Sequence, residues 1–218
     1  MGTITRTFAN NITTSGVFKP TAFNNASFDN VTAVPEGVIE GGNMVLLSTQ
    51  TASGDASISF TTGIDSTYKE YMFIFNNIHG QNNADPQFNL STDGGSTYAV
   101  TKTTTFFIAN HEENDSEAQL IYRTADDLAQ STSYQPFNFD LSNASDSGYS
   151  GYLHLFNPSD TTYVKHFILV INGMKDSFGS ANCFVAGYGN TTSAINAIDF
   201  KFQNGNIDDG TIQMFGIL

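Results

Sequence analysis

The chain has 218 residues, of which 8 are Lys or Arg and 21 are Asp or Glu, giving a net charge of −13. That balance speaks against binding a nucleic-acid backbone, which needs clustered Lys and Arg, and against docking on anionic lipid. Nineteen Phe, nine Tyr, no Trp and only 13% charged residues suit short strands and tight turns and suit long helices badly.

Residues 1–42 differ from the rest. They are rich in Asn and Thr, and their apolar residues are isolated: Phe8, Ile12, Val17, Phe18, Phe23, Phe28 and Val31. Pro20 and Pro35 interrupt the stretch and Glu40-Gly41-Gly42 closes it. Such a segment cannot build its own core. Composition alone fits either an unstructured tail or an extended arm. The spaced aromatics suit pockets on a neighbouring chain, and an arm docked on a partner subunit is the expectation carried forward. Met1 to Arg6 contain no apolar run of the signal-peptide kind, so the expected place of synthesis is the cytoplasm. No stretch approaches the ~20 apolar residues of a membrane-spanning helix.

From residue 43 onward the periodicity predicts an all-β domain, an antiparallel β-sandwich of jelly-roll-like type. Strands are predicted at 44–49, Ala56–Phe60, Tyr71–Phe75, 86–92, 97–108, 119–123, Phe137–Leu141, 150–156, His166–Ile171, 182–188, Ile198–Phe202 and 210–217. Ala56–Phe60, Phe137–Leu141 and Ile198–Phe202 alternate apolar with polar residues, the mark of a strand with one wet face. Tyr71–Phe75 and His166–Ile171 are apolar at nearly every position. They are expected to be buried on both sides, either within the domain or by a sheet inside and a neighbouring subunit outside. Asp93-Gly94-Gly95, Asn172-Gly173, Asn204-Gly205 and Asp209-Gly210 read as turns. Ala125–Gln130 is the one candidate helical turn, with Thr124 as its N-cap.

Residues carrying chemistry are sparse. Cys183 stands alone in an apolar run and reads as a buried, inert thiol. His154 and His166 fall within strands. The cluster His111-Glu112-Glu113-Asn114-Asp115 lacks the second His of a zinc-protease helix and the Gly of a calcium loop, and reads as a solvated loop. Asp126-Asp127 and Asp208-Asp209 read as solvated turn pairs. No catalytic residue, metal or cofactor is assigned. Cleavage of a host polysaccharide is the weakest of the readings considered, since two converging carboxyl groups cannot be identified.

Ser91-Thr92-Asp93-Gly94-Gly95-Ser96-Thr97-Tyr98 is similar to the Asp-box, with Tyr98 in place of its Trp. In that motif the Asp accepts hydrogen bonds from turn N–H groups and glycines take positive φ. Ser91, Asp93, Gly95, Thr97 and Tyr98 therefore predict a stable hairpin without catalytic implication. Tyr149, Tyr152, Tyr163, Phe178 and Tyr188, with the polar loops 142–150, 157–162, 174–181 and 189–194, offer ingredients for stacking on a glycan. Ordinary β-protein surface is the competing reading for each of them.

Four stretches resemble small virion proteins of tailed phages, marine and cyanobacterial ones in particular: Leu46–Ser53, Ile58–Tyr68, Phe88–Tyr98 and Asp209–Leu218. The resemblance covers roughly residues 44–218. It implies a homotrimeric β-domain exposed on a virion assembled in the host cytoplasm, in a tail fibre or as a decoration, with other virion proteins as partners and a host surface polysaccharide as a possible ligand. It supplies no catalytic residues; the expectation of no nucleic acid and no membrane insertion rests on the charge and the lack of a long apolar stretch.

Overall fold

A computed structural model describes residues 44–218. The predicted docking residues Phe8, Ile12, Val17, Phe18, Phe23, Phe28 and Val31 lie outside the described residues. Among the described residues every regular element is a strand. In chain order they are β1 (Met44–Thr51), β2 (Ile58–Phe60), β3 (Glu70–Gly80), β4 (Pro86–Ser91), β5 (Lys102–Glu112), β6 (Ala118–Tyr122), β7 (Gln135–Pro136), β8 (Tyr149–Phe156), β9 (Lys165–Lys175), β10 (Gly179–Gly189), β11 (Ala197–Phe202) and β12 (Ile207–Ile217).

These strands form two antiparallel sheets. The larger has the order β1-β12-β3-β8-β9-β10-β5-β6 and the smaller β2-β11-β4-β7. Leaving two hairpins aside, the chain alternates between the larger sheet (β1, β3, β8, β12) and the smaller one (β2, β4, β7, β11). That is the jelly-roll-like sandwich expected. Two hairpin insertions widen one sheet: β5–β6 between β4 and β7, and β9–β10 between β8 and β11. The larger sheet is thereby doubled, and the added strands also bury their inner face against the smaller sheet: Phe88 of β4 meets Phe167 of β9, and Thr104 of β5 bonds Gln135 of β7 at 2.6 Å.

Aromatic side chains fill the space between the sheets. Phe75 packs edge-on against Phe200 at 5.2 Å and stacks on Phe137 at 5.6 Å, while Phe88 meets Phe167 edge-on at 5.1 Å. Each is buried, and each contributes roughly 1.5–3 kcal/mol of transfer free energy. Cys183 is buried as expected. Its Sγ donates to Asn138 Oδ1 at 3.3 Å, and burial pushes the thiol up to about 12.

Several expectations need correction. Phe137–Leu141 is not a strand; only Gln135–Pro136 pairs with β4. Asn138 bonds its own neighbour's N–H at 2.8 Å, Phe139 leaves the sheet to lie beneath the Arg123 guanidinium at 3.6 Å, and Asp140 has φ +59°. These local bonds replace a ladder. Asn172-Gly173 is inside β9, not a turn: a Cβ on residue 173 would come within 2.6 Å of Asn138 Nδ2, so the glycine serves close packing. The hairpin reverses instead at Lys175–Gly179, with Phe178 in the left-handed region. Asp208-Asp209-Gly210 lies within β12, at a bulge. Ala125–Gln130 forms no helix. Asp126 and Asp127 direct their N–H groups to the Arg123 carbonyl, and Asp126 takes the Arg123 side chain at 2.7 Å.

The two-faced apolar strands are buried on one face within the chain. Tyr71, Phe73, Phe75, Phe167, Leu169 and Ile171 point into the core. The alternate residues point out, and the register aligns them across the large sheet. One row runs Ile74, Tyr152, Val170, Phe184, Phe107 and Tyr122 on six consecutive strands. A second runs Leu46, Phe215, Met72, His154 and Ile168.

Candidate functional site

The Asp-box-like turn forms with the bonds the motif requires. Ser91 Oγ donates to Asp93 Oδ1 at 2.6 Å, and Thr97 N–H donates to the same carboxylate at 2.8 Å. Both bonds hold the Asp93 carboxyl below its ordinary value. Gly94 and Gly95 have φ +73° and +87°. The turn does not close a hairpin, however. β4 belongs to the small sheet and β5 to the large one, so the turn crosses from one sheet to the other. Its role is structural.

The five candidate glycan-facing aromatics do not converge. Tyr149 is 3% exposed and packs within the core against Phe75, Phe137 and Phe202; its ring cannot stack on a ligand. Tyr152 projects from β8 onto the outer face of the large sheet, and Tyr188 does so from β10, beside His166. Tyr163, 70% exposed, sits in the connection from β8 to β9. Phe178, 58% exposed, sits at the β9–β10 hairpin, the opposite end of β9. The four polar loops divide in the same way. Loops 142–150 and 174–181 meet at one end, where Met174 N–H bonds the Gly148 carbonyl at 3.2 Å. Loops 157–162 and 189–194 meet at the other, where Ile195 N–H bonds the Pro158 carbonyl at 2.9 Å.

The end carrying loops 142–150 and 174–181 holds an open cleft of about 900 Å³. Asn77 and His79 from β3, Asp209 from β12, Asp146 and Ser150 around the start of β8, Asn172 from β9, Ser180 from β10 and His111 from β5 line it. Two adjacent irregularities shape it. β3 skips register with β8 between Phe75 and Ile78, and β12 skips register with β3 on both sides of Asp209. Asn77 has φ +48° and Gly210 φ +107°. A Cβ on residue 210 would lie 2.5 Å from the Asn77 carbonyl oxygen, so only glycine allows the two bulges to sit side by side.

Inside the cleft, Asn77 N–H donates to Ser150 Oγ at 2.9 Å, Asn172 Nδ2 donates to Ser180 Oγ at 2.8 Å, and His79 Nε2 donates to the Ala144 carbonyl at 3.1 Å. His111 Nε2 lies 2.9 Å from Asp115 Oδ1. Glu112, at the rim, turns inward to Lys175 Nζ at 2.6 Å and to Ser177 Oγ at 2.9 Å. The Lys175 and Ser177 bonds hold its carboxyl below the ordinary range. Phe178 is not part of the lining but directly precedes Gly179, which is. Carboxamides, hydroxyls and carboxylates on an open concave surface can exchange hydrogen bonds with a hydroxyl-rich ligand, and an exposed ring such as Phe178 can stack on an apolar sugar face. No group of three or more His, Cys, Asp or Glu side chains among the described residues is arranged to hold a metal ion.

The residues alone pointed to loops 142–150 and 174–181, the latter holding Phe178 and Ser180, but not to Asn77, His79, Asp209 and Asn172 as members of one site. The available signal was the polar pair Asn76-Asn77 interrupting an apolar strand, with Asp209-Gly210 elsewhere. Their juxtaposition depends on β12 lying beside β3.

No family model matches the chain, and neither a curated protein nor a solved structure matches it.

Proposed function

We propose that the chain is a structural protein of a tailed-phage particle, a tail-fibre or host-attachment module. It is fastened to other virion proteins through its N-terminal segment and turns the polar end of its sandwich toward a host surface glycan. The observation that carries this reading is the open polar cleft, with the exposed Phe178 next in sequence to its lining residue Gly179, on a sandwich whose strands β1, β2, β4 and β12 hold the phage-like sequence stretches. Binding by such a site is additive over many weak polar contacts and one stacking contact, and gains strength when several copies act together.

A glycan array probed with the full chain tests it. Binding to a defined surface polysaccharide is expected, with a loss of about tenfold or more on Phe178→Ala or Asn172→Ala, equivalent to ~1.4 kcal/mol. A chain that binds no glycan at any density would remove the attachment reading.

One observation favours a second reading, a capsid or tail decoration protein that recognises no receptor. The outer face of the large sheet is apolar and nearly uncharged, as a surface packed against other particle proteins would be. Particles lacking the protein would then adsorb normally but lose infectivity sooner on heating.

A further inference from the structure

We propose that the outward face of the eight-stranded sheet is a contact between copies of this chain. The two register-aligned rows described above place large apolar side chains side by side across the sheet with no polar residue between Ile74 and Tyr122. Ile168 is 46% exposed, Phe107 38% and Leu46 51%. Such alignment is not the scattered exposure of single apolar residues found on any protein surface.

Charge identifies the occupant. The chain carries a net −13, so two copies repel one another over most of their surfaces. Among the described residues, the outward positions from Leu46 to Tyr122 include a single carboxylate, Glu70, and it is paired with His154. Neither Lys nor Arg is among them. This is the surface through which two acidic chains meet with least repulsion, and it offers an acidic or basic partner protein no charge to recognise.

Size and relief agree. Eight strands at ~4.8 Å spacing and three outward rows along each give a face roughly 34 Å by 20 Å, on the order of 700 Å². A stable interface buries about 800 Å² per partner. The face is also indented. Between Phe156, Tyr188 and Ile168 the small residues Ala186 and Thr105 leave a groove of about 520 Å³, a seat for large side chains of the second copy.

Light scattering of the full chain after gel filtration, with Ile168→Lys and Thr105→Arg variants, tests the proposal. Both positions are solvent-facing in the single chain, so either variant should keep a cooperative melt, lowered only by loss of the assembly, and two variants guard against one failing to fold. Tyr163→Lys, in an exposed loop away from the face, is the control. The parent and the control should run at a two- or threefold multiple of 23.6 kDa, and a folded Ile168→Lys or Thr105→Arg chain at the single-chain mass. A parent that is monomeric at tens of micromolar would overturn the proposal and assign the face to residues 1–43 or to another protein. An oligomer that both variants leave intact would also overturn it.

Discussion

Phe107 on β5 and Phe184 on β10 stack on the outside of the protein, with ring centroids 4.8 Å apart and planes within 9° of parallel. They are direct cross-strand partners. Such a pair adds roughly 0.5–1.5 kcal/mol beyond the area it buries. A double-mutant cycle on Phe107→Ala and Phe184→Ala, read by urea unfolding of the full chain, should return a coupling energy in that range. Strict additivity would mean that the stack contributes nothing to the sheet.

Lys102 gives stability a pH dependence of a definite sign. Its Nζ is buried, bonded to Asn89 Oδ1 and to the Val100 carbonyl, and burial pulls its pKa down to about 7 from 10.5. The unfolded chain therefore holds a proton that the folded chain has released between those values, and stability rises with pH across the window. Burial of Lys165 acts in the same direction. The raised Cys183 thiol opposes it once the unfolded thiol ionises near 9. The urea midpoint should thus increase between pH 7 and 8.5, and Lys102→Met should flatten the increase. A slope unchanged in Lys102→Met would exclude this lysine as its source.

Asp85 acts at lower pH. Burial, opposed by the Asp140 N–H bond at 2.9 Å and reinforced by the Asp126 and Asp140 carboxylates, raises its pKa to about 6 from 3.8. Between those values the folded chain keeps a proton that the unfolded chain has lost, so this group's contribution declines as pH rises from about 4 to 6. Asp85→Asn keeps the acceptor for Asp140 N–H without the charge. It should raise stability at pH 7 by about 1–2 kcal/mol and leave it nearly unchanged at pH 4, as measured by unfolding at the two pH values.

Gly210 should tolerate no side chain. Gly210→Ala would combine a φ of +107° with a 2.5 Å approach to the Asn77 carbonyl oxygen, a change expected to cost more than ~1 kcal/mol. Because the strain falls on the paired bulges, amide exchange should quicken around Asn77 and Asp209 before it does in β9. Uniform loss of protection across the sandwich would place the strain elsewhere.

Period-two alternation and turn chemistry made most of this architecture readable from the residues. Ile198–Phe202 alternates because β11 turns Ile198, Phe200 and Phe202 to the core, but its other face is not wet at Asp199, which is 3% exposed and accepts bonds from the Ser59 and Tyr134 hydroxyls. The exceptions share a cause. Phe137–Leu141 has the same alternation, but the bond from Asn138 to its own neighbour and the Arg123–Phe139 contact are made instead of a ladder, and nothing local announces them. Asn172-Gly173 looks like a turn because the sequence does not show that Asn138 and Tyr149 will press against residue 173. The site was less readable than the fold. Phe178 and Tyr163 look alike in sequence, yet they lie at opposite ends of β9. The cleft is assembled from β3, β12, β8, β9, β10 and β5, whose order in the sheet is set by pairings far apart in the chain.

The proposed place of this sandwich in a phage particle is open to mass spectrometry of gradient-purified particles. Peptides of this chain are expected in the particle fraction, in fixed ratio to the other structural proteins and retained through repeated purification. Peptides confined to the soluble lysate and lost from the particles on purification would contradict it.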